Sequence, residues 1–346
     1  MIKWQVRAIW PIVQLSITGA QPQVLSHRVE DLIQHMPPEI RNVPTNIISG
    51  FLGTGKTTAI LDLFTKKPDT EKWAVLVNEF GKVGIDGQIY RANDITVKEI
   101  PGGCMCCAQG LPLQVAVNRL LGEARPDRLI IESSGVGHPA GVLKTLKGKG
   151  FEQVLTLRAG ICLLDPEYLI NPAYQNNERF KEQIQFADIL IANKTDLAST
   201  AALHAFALLS QTFDPAKVHI ASTTKGRLNT GWLDYQHRQY TQEFTFETIP
   251  SEPSSGQSSE WRSHTFHYPE ETLFDITALK HWLKNVGLTR LKGIIRTADT
   301  CYLLNYVTGQ VEITPFDHQG GSYIEVIDPD LNIDSLKSDI RSCISG

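Results

Sequence analysis

Short apolar runs recur along the first two thirds of the chain, and they are continuous rather than alternating: "TNIIS", "WAVLVN", "DRLIIES", "GICLLD", "ADILIAN" and "VHIAS". Continuous runs mark strands buried on both faces, because a strand with one solvated face alternates. Between them lie "TTAILDLFTKK", "LPLQVAVNRLLGEA" and "ALHAFALLSQTF", where apolar residues return with the period of an amphipathic helix. Strand and helix in alternation predict an α/β fold with a mostly parallel, doubly wound sheet over residues 44–230. The Pro-, Ser- and Gly-rich "IPSEPSSGQSSE" (249–260) reads as a flexible linker or long loop, and the linker is assigned to 231–260. After it, "WRSHTFHY" and "TCYLLNYVTGQVEITPF" predict strands and "ITALKHWLKNV" a helix, a smaller C-terminal α+β domain over 261–346. Residues 1–35 show no clear period and are expected to be a poorly ordered extension or the product of a misplaced start codon, with Met36 a natural start for the folded part; the extension is assigned to 1–43.

Composition narrows the setting. The 346 residues are 42% hydrophobic and 20% charged, enough for two domains with a sizeable core. A net charge of -4 argues against nucleic acid or an anionic membrane surface as partner. The apolar start "MIKWQVRAIWPIVQLSITGA" is broken by Arg7, Pro11 and Gln14, so it does not read as a signal peptide, and no stretch approaches the roughly 20 apolar residues of a membrane span. A cytoplasmic protein is expected. Of six cysteines, three cluster at 104, 106 and 107 and three scatter at 162, 301 and 343, which is not a disulfide framework. The neighbours Cys106 and Cys107 could pair only with strained geometry.

The chemistry begins at "GFLGTGKT", Gly50 to Thr57, which fits the phosphate-loop pattern G-x-x-x-x-G-K-[ST] between a strand and a helix. Gly50, Gly53 and Gly55 let the backbone turn tightly and aim its N–H groups at phosphate oxygens, and the helix N-terminus adds partial positive charge. Lys56 would reach the β and γ phosphates and the Thr57 hydroxyl would bind Mg²⁺. Thr54 and Thr58 complete the expected lining. "NKTD", Asn193 to Asp196, ends a predicted strand. A carboxylate at Asp196 can accept from both N1–H and the 2-amino group of guanine, donors that adenine lacks there. Lys194 can pack its stem along the base and Asn193 can tie this loop to the phosphate loop. GTP is therefore the expected nucleotide, with "ASTTKG" (221–226) a further base contact.

Two polar, Gly-bearing segments follow strands on the same side and read as switches. In "NEFGKVGIDG" (78–87) Glu79 and Asp86 could reach Mg²⁺ or its waters. In "ESSGVGHP" (132–139) Glu132 is placed to hold the Mg²⁺ shell or orient the attacking water, and Gly135 to meet the γ-phosphate. Neither a catalytic glutamine nor an arginine finger can be picked out, so intrinsic hydrolysis is expected to be slow. Between the switches, "PGGCMCCAQG" (101–110) offers three thiols on a Gly-rich turn. Cys104, Cys106 and Cys107 suit Zn²⁺ or Cu⁺ better than a hard cation. The fourth position could be His138, an acid or water, and an open position fits transient carriage. Three small residues filling a turn are the bland alternative. His264 and His267, three apart on a strand, face opposite sides and do not chelate together.

In order and form, "GFLGTGKTT", "NEFGKVGIDG", "GGCMCC", "ESSGVGHP" and "NKTDL", with "LKGIIRTAD" near the C-terminus, resemble the motifs of the CobW-type (cobalamin-synthesis-protein) P-loop GTPases. The resemblance implies a GTP-hydrolysing metallochaperone, with GTP and Mg²⁺ in the first domain and a transition metal, Zn²⁺ or else Co²⁺, at the C-x-C-C segment. It also implies a client metalloprotein and suggests a homodimer. Nucleotide state would alter the grip on metal, a coupling free energy between two sites. Two departures stand out: Lys82 replaces a glutamate that many members carry in the first switch, and no His-rich tract is present, against bulk metal storage. Three other functions compete: an activator of one metalloenzyme, such as a nitrile-hydratase-like client; a small-molecule kinase, disfavoured by the guanine motif; and a nucleotide-gated metal sensor that does not hydrolyse.

Overall fold

The computed structural model describes residues 40–78, 85–99, 111–148, 150–213, 215–238 and 262–345. Eight strands form the first sheet: β1 (Val43–Ser49), β2 (Trp73–Asn78), β3 (Thr96–Glu99), β4 (Arg128–Ser133), β5 (Leu155–Leu157), β6 (Ile161–Leu164), β7 (Ile189–Ala192) and β8 (His219–Ser222). Their order is β3-β2-β4-β1-β6-β7-β8, with β5 also beside β1, and every pairing is parallel. The helices on this sheet are α1 (Lys56–Lys66), α2 (Ile85–Ala92), α3 (Leu111–Ala124), α4 (Pro139–Leu146), α5 (Glu167–Ile170), α6 (Pro172–Gln175), α7 (Glu178–Phe186) and α8 (Thr200–Leu209). Continuous apolar strands follow from burial on both faces. On β7, Ile189 and Ile191 pack with Ile60, Leu63 and Tyr90, whereas Leu190 and Ala192 pack on the other side with Phe51, Phe180 and Phe206.

The sheet order sets the site. The phosphate loop leaves the C-terminal end of β1, whose neighbour β4 delivers Glu132 opposite Ile48. Ligands of open parallel sheets gather outside the carboxyl ends of such strands.

A second, antiparallel sheet contains β9 (Arg262–Tyr268), β10 (Arg290–Arg296), β11 (Cys301–Val307), β12 (Gln310–Phe316) and β13 (Ser322–Asp328), in the order β12-β11-β10-β13-β9. Helices α9 (Ile276–Leu283) and α10 (Ile333–Arg341) cover one face, where Leu279, Leu283, Leu336 and Ile340 pack on Leu291, Ile295, Leu304 and Ile324. The opposite face meets the first sheet's layer. Ile294 packs on Ile89 of α2, and Ile327 joins the cluster of Phe51 and Leu52. His264 and His267 stand on opposite faces of β9, opposite Val326 and Tyr323.

Two features depart from the sequence reading. Residues 231–238, assigned to the linker, pack back on the first sheet: Leu233 is fully buried, its carbonyl accepts from Asn46 Nδ2 at 3.1 Å, and Arg128 Nη2 lies 2.5 Å from Asp234 Oδ1. Strands β10 and β13 are new. Their apolar runs are interrupted by Arg290, Lys292 and Glu325, which point to the face that meets the first sheet.

Candidate nucleotide site

Gly53 and Gly55 take φ of 75° and 94°, the left-handed conformation that only glycine adopts without strain. Space is also short. A Cβ on Gly55 would lie 2.5 Å from Asn193 Nδ2, and one on Gly50 2.4 Å from the Leu163 carbonyl oxygen. Helix α1 opens directly after the loop with no capping side chain, so its first turn presents backbone N–H groups and partial positive charge to an anion. The Lys56 ammonium folds over the loop and donates to the carbonyls of Gly50 (2.9 Å) and Phe51 (3.2 Å). Burial lowers its pKa to about 8, opposed by the nearby Glu132 carboxylate. The donor set fits a polyphosphate: a glycine cradle, an uncapped helix and one ammonium.

Glu132 is buried at the end of β4. Its Oε1 accepts from the Thr57 hydroxyl at 3.0 Å and its Oε2 from the Tyr90 hydroxyl at 2.6 Å. Burial raises its pKa, which Lys56 and these two hydroxyls offset. A hydroxyl and a carboxylate side by side at the foot of the loop could hold Mg²⁺. Glu79, the other expected Mg²⁺ residue, lies outside the described residues, as do Cys104, Cys106, Cys107 and Lys82; of Asp86 only the backbone is described.

The second switch touches the loop. A Cβ on Gly135 would fall 2.5 Å from Leu52 Cδ2 and 3.0 Å from the Leu52 amide nitrogen. Gln183 of α7 pins this segment by donating to the carbonyls of Gly135 (2.9 Å) and Gly137 (3.2 Å). His138 precedes α4, with Nδ1 against the Glu182 carboxylate and Nε2 against the Arg179 guanidinium. Both ring nitrogens are thus engaged by protein. Among the described residues, no group of three or more His, Cys, Asp or Glu could hold a metal ion.

The base motif sits at the same mouth. Asn193 Nδ2 donates to the Thr54 carbonyl at 2.8 Å, and its Oδ1 accepts from the Gly226 amide at 2.9 Å. One amide thus joins the phosphate loop, the end of β7 and the loop after β8. Lys194 Nζ is held 3.1 Å from Asp165 Oδ2. Asp196 is exposed and has no hydrogen-bond or ion-pair partner among the described residues, leaving its carboxylate open to a ligand. Thr58 is exposed on the first turn of α1.

Residues 44–219 match the nucleotide-binding domain of CobW/HypB/UreG, and residues 263–344 the cobalamin synthesis protein cobW C-terminal domain. The chain belongs to the CobW/HypB/UreG family. Among its relatives, the zinc chaperone YeiR of Escherichia coli K12 is 35% identical over 280 residues, which cover 75% of this chain and 85% of that one. The zinc-regulated GTPase metalloprotein activator 1 of Dictyostelium discoideum is 26% identical over 314 residues, or 76% and 64% of the two chains. The solved Zn(II)-bound YjiA GTPase from E. coli aligns over 87% of this chain and 99% of its own at 18% identity, with a TM-score of 0.42. That likeness is loose, and the fold rests on the strand order above. No described helix is long and apolar enough to cross a membrane.

Within this CobW/HypB/UreG site the motifs name the loop, Thr57, Glu132, Gly135 and Asn193 to Asp196, and the fold gathers them at one end of the sheet. Tyr90, Asp165 and Gln183 carry no motif. The sequence reading singled out none of the three.

Proposed function

We propose that this chain is a GTP-hydrolysing metallochaperone that carries a transition metal, zinc first and cobalt second, to a client metalloprotein. The observation that carries the nucleotide half is the Asn193 amide, which joins Thr54 and Gly226 and so holds the base motif beside the phosphate loop. Guanine then sits against Asp196 with Lys194 along its face, and adenine leaves the Asp196 acceptor unmatched. Gly50, Gly53, Gly55 and the first turn of α1 bind the phosphates, and Lys56 turns from its loop carbonyls to the β and γ oxygens. Thr57 and Glu132, with Glu79 as the further candidate, would hold Mg²⁺, which would neutralise charge on the phosphate oxygens. Glu132 orients the attacking water, fixed in place by the Tyr90 hydroxyl.

The metal half draws on Cys104, Cys106 and Cys107 as soft thiolate ligands and on the printed names of the zinc-chaperone relatives. His138 would join them only by giving up Glu182 and Arg179, so water or a client donor takes the fourth position. Gly135 links the two halves, because a nucleotide that moves Leu52 moves the segment after Glu132. The test is a Co²⁺ and Zn²⁺ titration of reduced protein with and without GTP·Mg²⁺, in wild type and in a variant with all three thiols changed to serine. A thiolate-to-Co²⁺ absorption band that vanishes in the variant, with affinity that shifts on GTP, is expected. Absence of the band would remove the thiols from the metal site, and GTP-independent affinity would remove the coupling.

A further inference from the structure

Arg290 belongs to no motif used so far, yet its surroundings aim it at the phosphate loop. On β10 it pairs with Val307 of β11 on one side and Ile327 of β13 on the other. All three residues share the face that meets the first sheet. Val307 presses on the loop itself, with its two Cγ atoms 2.7 and 2.9 Å from where a Cβ on Gly53 would stand. Ile327 packs in the cluster of Phe51 and Leu52. A side chain between these two neighbours projects toward Phe51–Gly53 of the loop, near enough for its charge to be felt at Lys56. Its Nη1 is buried and has no hydrogen-bond partner among the described residues, and a buried guanidinium nitrogen without an acceptor is costly unless a ligand supplies one. Glu325, opposite Lys292 in the β10–β13 ladder, lies near enough for the Arg290 charge to act on it, yet no hydrogen bond joins the two: its Oε1 is likewise buried without a partner among the described residues. The charge is also felt at the site. Burial is the main cause of the lowered Lys56 pKa, and Arg290 adds to it, while Arg290 stabilises the Glu132 carboxylate.

We infer that Arg290 is an arginine finger supplied in cis by the second sheet, its guanidinium contacting the γ-phosphate of the nucleotide held at Gly50–Thr57. The inference rests on the GTP reading of that loop. A planar guanidinium donates to two oxygens of one phosphate and neutralises the charge that builds up as the γ-phosphoryl group leaves. The second sheet thereby senses whether the third phosphate is present, because GDP offers Arg290 no terminal oxygens to hold.

The experiment compares full-length wild type with Arg290→Gln and Arg290→Lys, measuring affinity for GDP and for the non-hydrolysable GTP analogue GppNHp with Mg²⁺ by calorimetry. Arg290→Gln should weaken GppNHp by about 10- to 100-fold, the worth of one hydrogen bond between charged groups, while GDP changes by less than about threefold. Arg290→Lys should fall between. Equal losses for both nucleotides, or no loss for either, overturn the finger. If the glutamine variant proves unfolded by its thermal melt, the lysine variant decides: it must lose GppNHp selectively, or the inference fails. A wild type that binds neither nucleotide sinks the GTP reading itself, a result distinct from any of these.

Discussion

The Thr57 hydroxyl donates to Glu132 at 3.0 Å, bridging the first turn of α1 and the end of β4. Two ends that are 75 residues apart in sequence therefore meet at one corner, the one proposed to hold Mg²⁺. Replacing Glu132 by glutamine keeps the shape but removes the charge. GTP hydrolysis should fall at least about 100-fold, in the range seen when one electrostatic group of a catalytic site is removed, whereas Mg²⁺-free GDP binding should change by less than about threefold. Single-turnover hydrolysis and GDP calorimetry on the same preparation check this. Retained hydrolysis would take Glu132 out of the chemistry.

Lys56 gives the site a pH signature. Its pKa is lowered to about 8, so the free protein holds a neutral amine above that pH, whereas bound phosphate needs the ammonium. Nucleotide binding then takes up a proton, and affinity should fall with pH above about 8, approaching tenfold per unit, and stay level below it. Lys56→Arg, charged throughout, should flatten the profile between pH 7 and 9. GDP affinity in buffers of different ionisation enthalpy reads both the fall and the proton uptake, and a level wild-type profile to pH 9 contradicts the assignment.

In the proposed function Asp196 reads the base. Changing it to asparagine exchanges one acceptor oxygen for an amide donor. GTP affinity should drop by about 100-fold or more, and xanthosine triphosphate, which has a carbonyl where guanine has its amino group, should gain. Competition of the two nucleotides against a fluorescent analogue measures the switch. Equal losses for both bases would mean that Asp196 does not read the base.

Glu325 is nearly fully buried beside Arg290 and Lys292, and burial raises its pKa to about 7 despite them. The folded protein therefore keeps a proton that the unfolded chain releases between pH 4.5 and 7. Stability from this group is intact below about pH 4.5 and is lost as pH rises through 7, by up to ~3 kcal/mol. Glu325→Gln should match wild type in urea melts at acid pH and exceed it at pH 8. A variant less stable than wild type at pH 8 would show that the carboxylate is needed charged.

Elements with an uninterrupted period were legible before folding. The stretch "LPLQVAVNRLLGEA" coincides with α3, because Leu113, Val117 and Leu120 recur at helical spacing and all end up buried. The turn of the phosphate loop between β1 and α1 was equally legible, since its glycine spacing is local. Strand β10 was not: "RLKGIIR" puts charge on a face that turned out to be an inter-sheet contact, and period alone cannot separate a solvated polar face from one that meets another layer. Tyr90 and Gln183 escaped for a related reason. What a polar side chain bonds is decided by residues 42 and 48 positions away, and no local pattern encodes that.

Gly53 and Val307 occupy one volume from two parts of the chain. A methyl group added at 53 would have to displace the valine at 307, while a shorter residue at 307 would leave an empty space above the loop. In a lineage that drifts, the loop holds its side fixed, because the left-handed backbone at 53 keeps glycine whatever the space, and the fit falls to position 307. A survey of relatives should therefore find glycine kept at 53 and nothing bulkier than valine at 307.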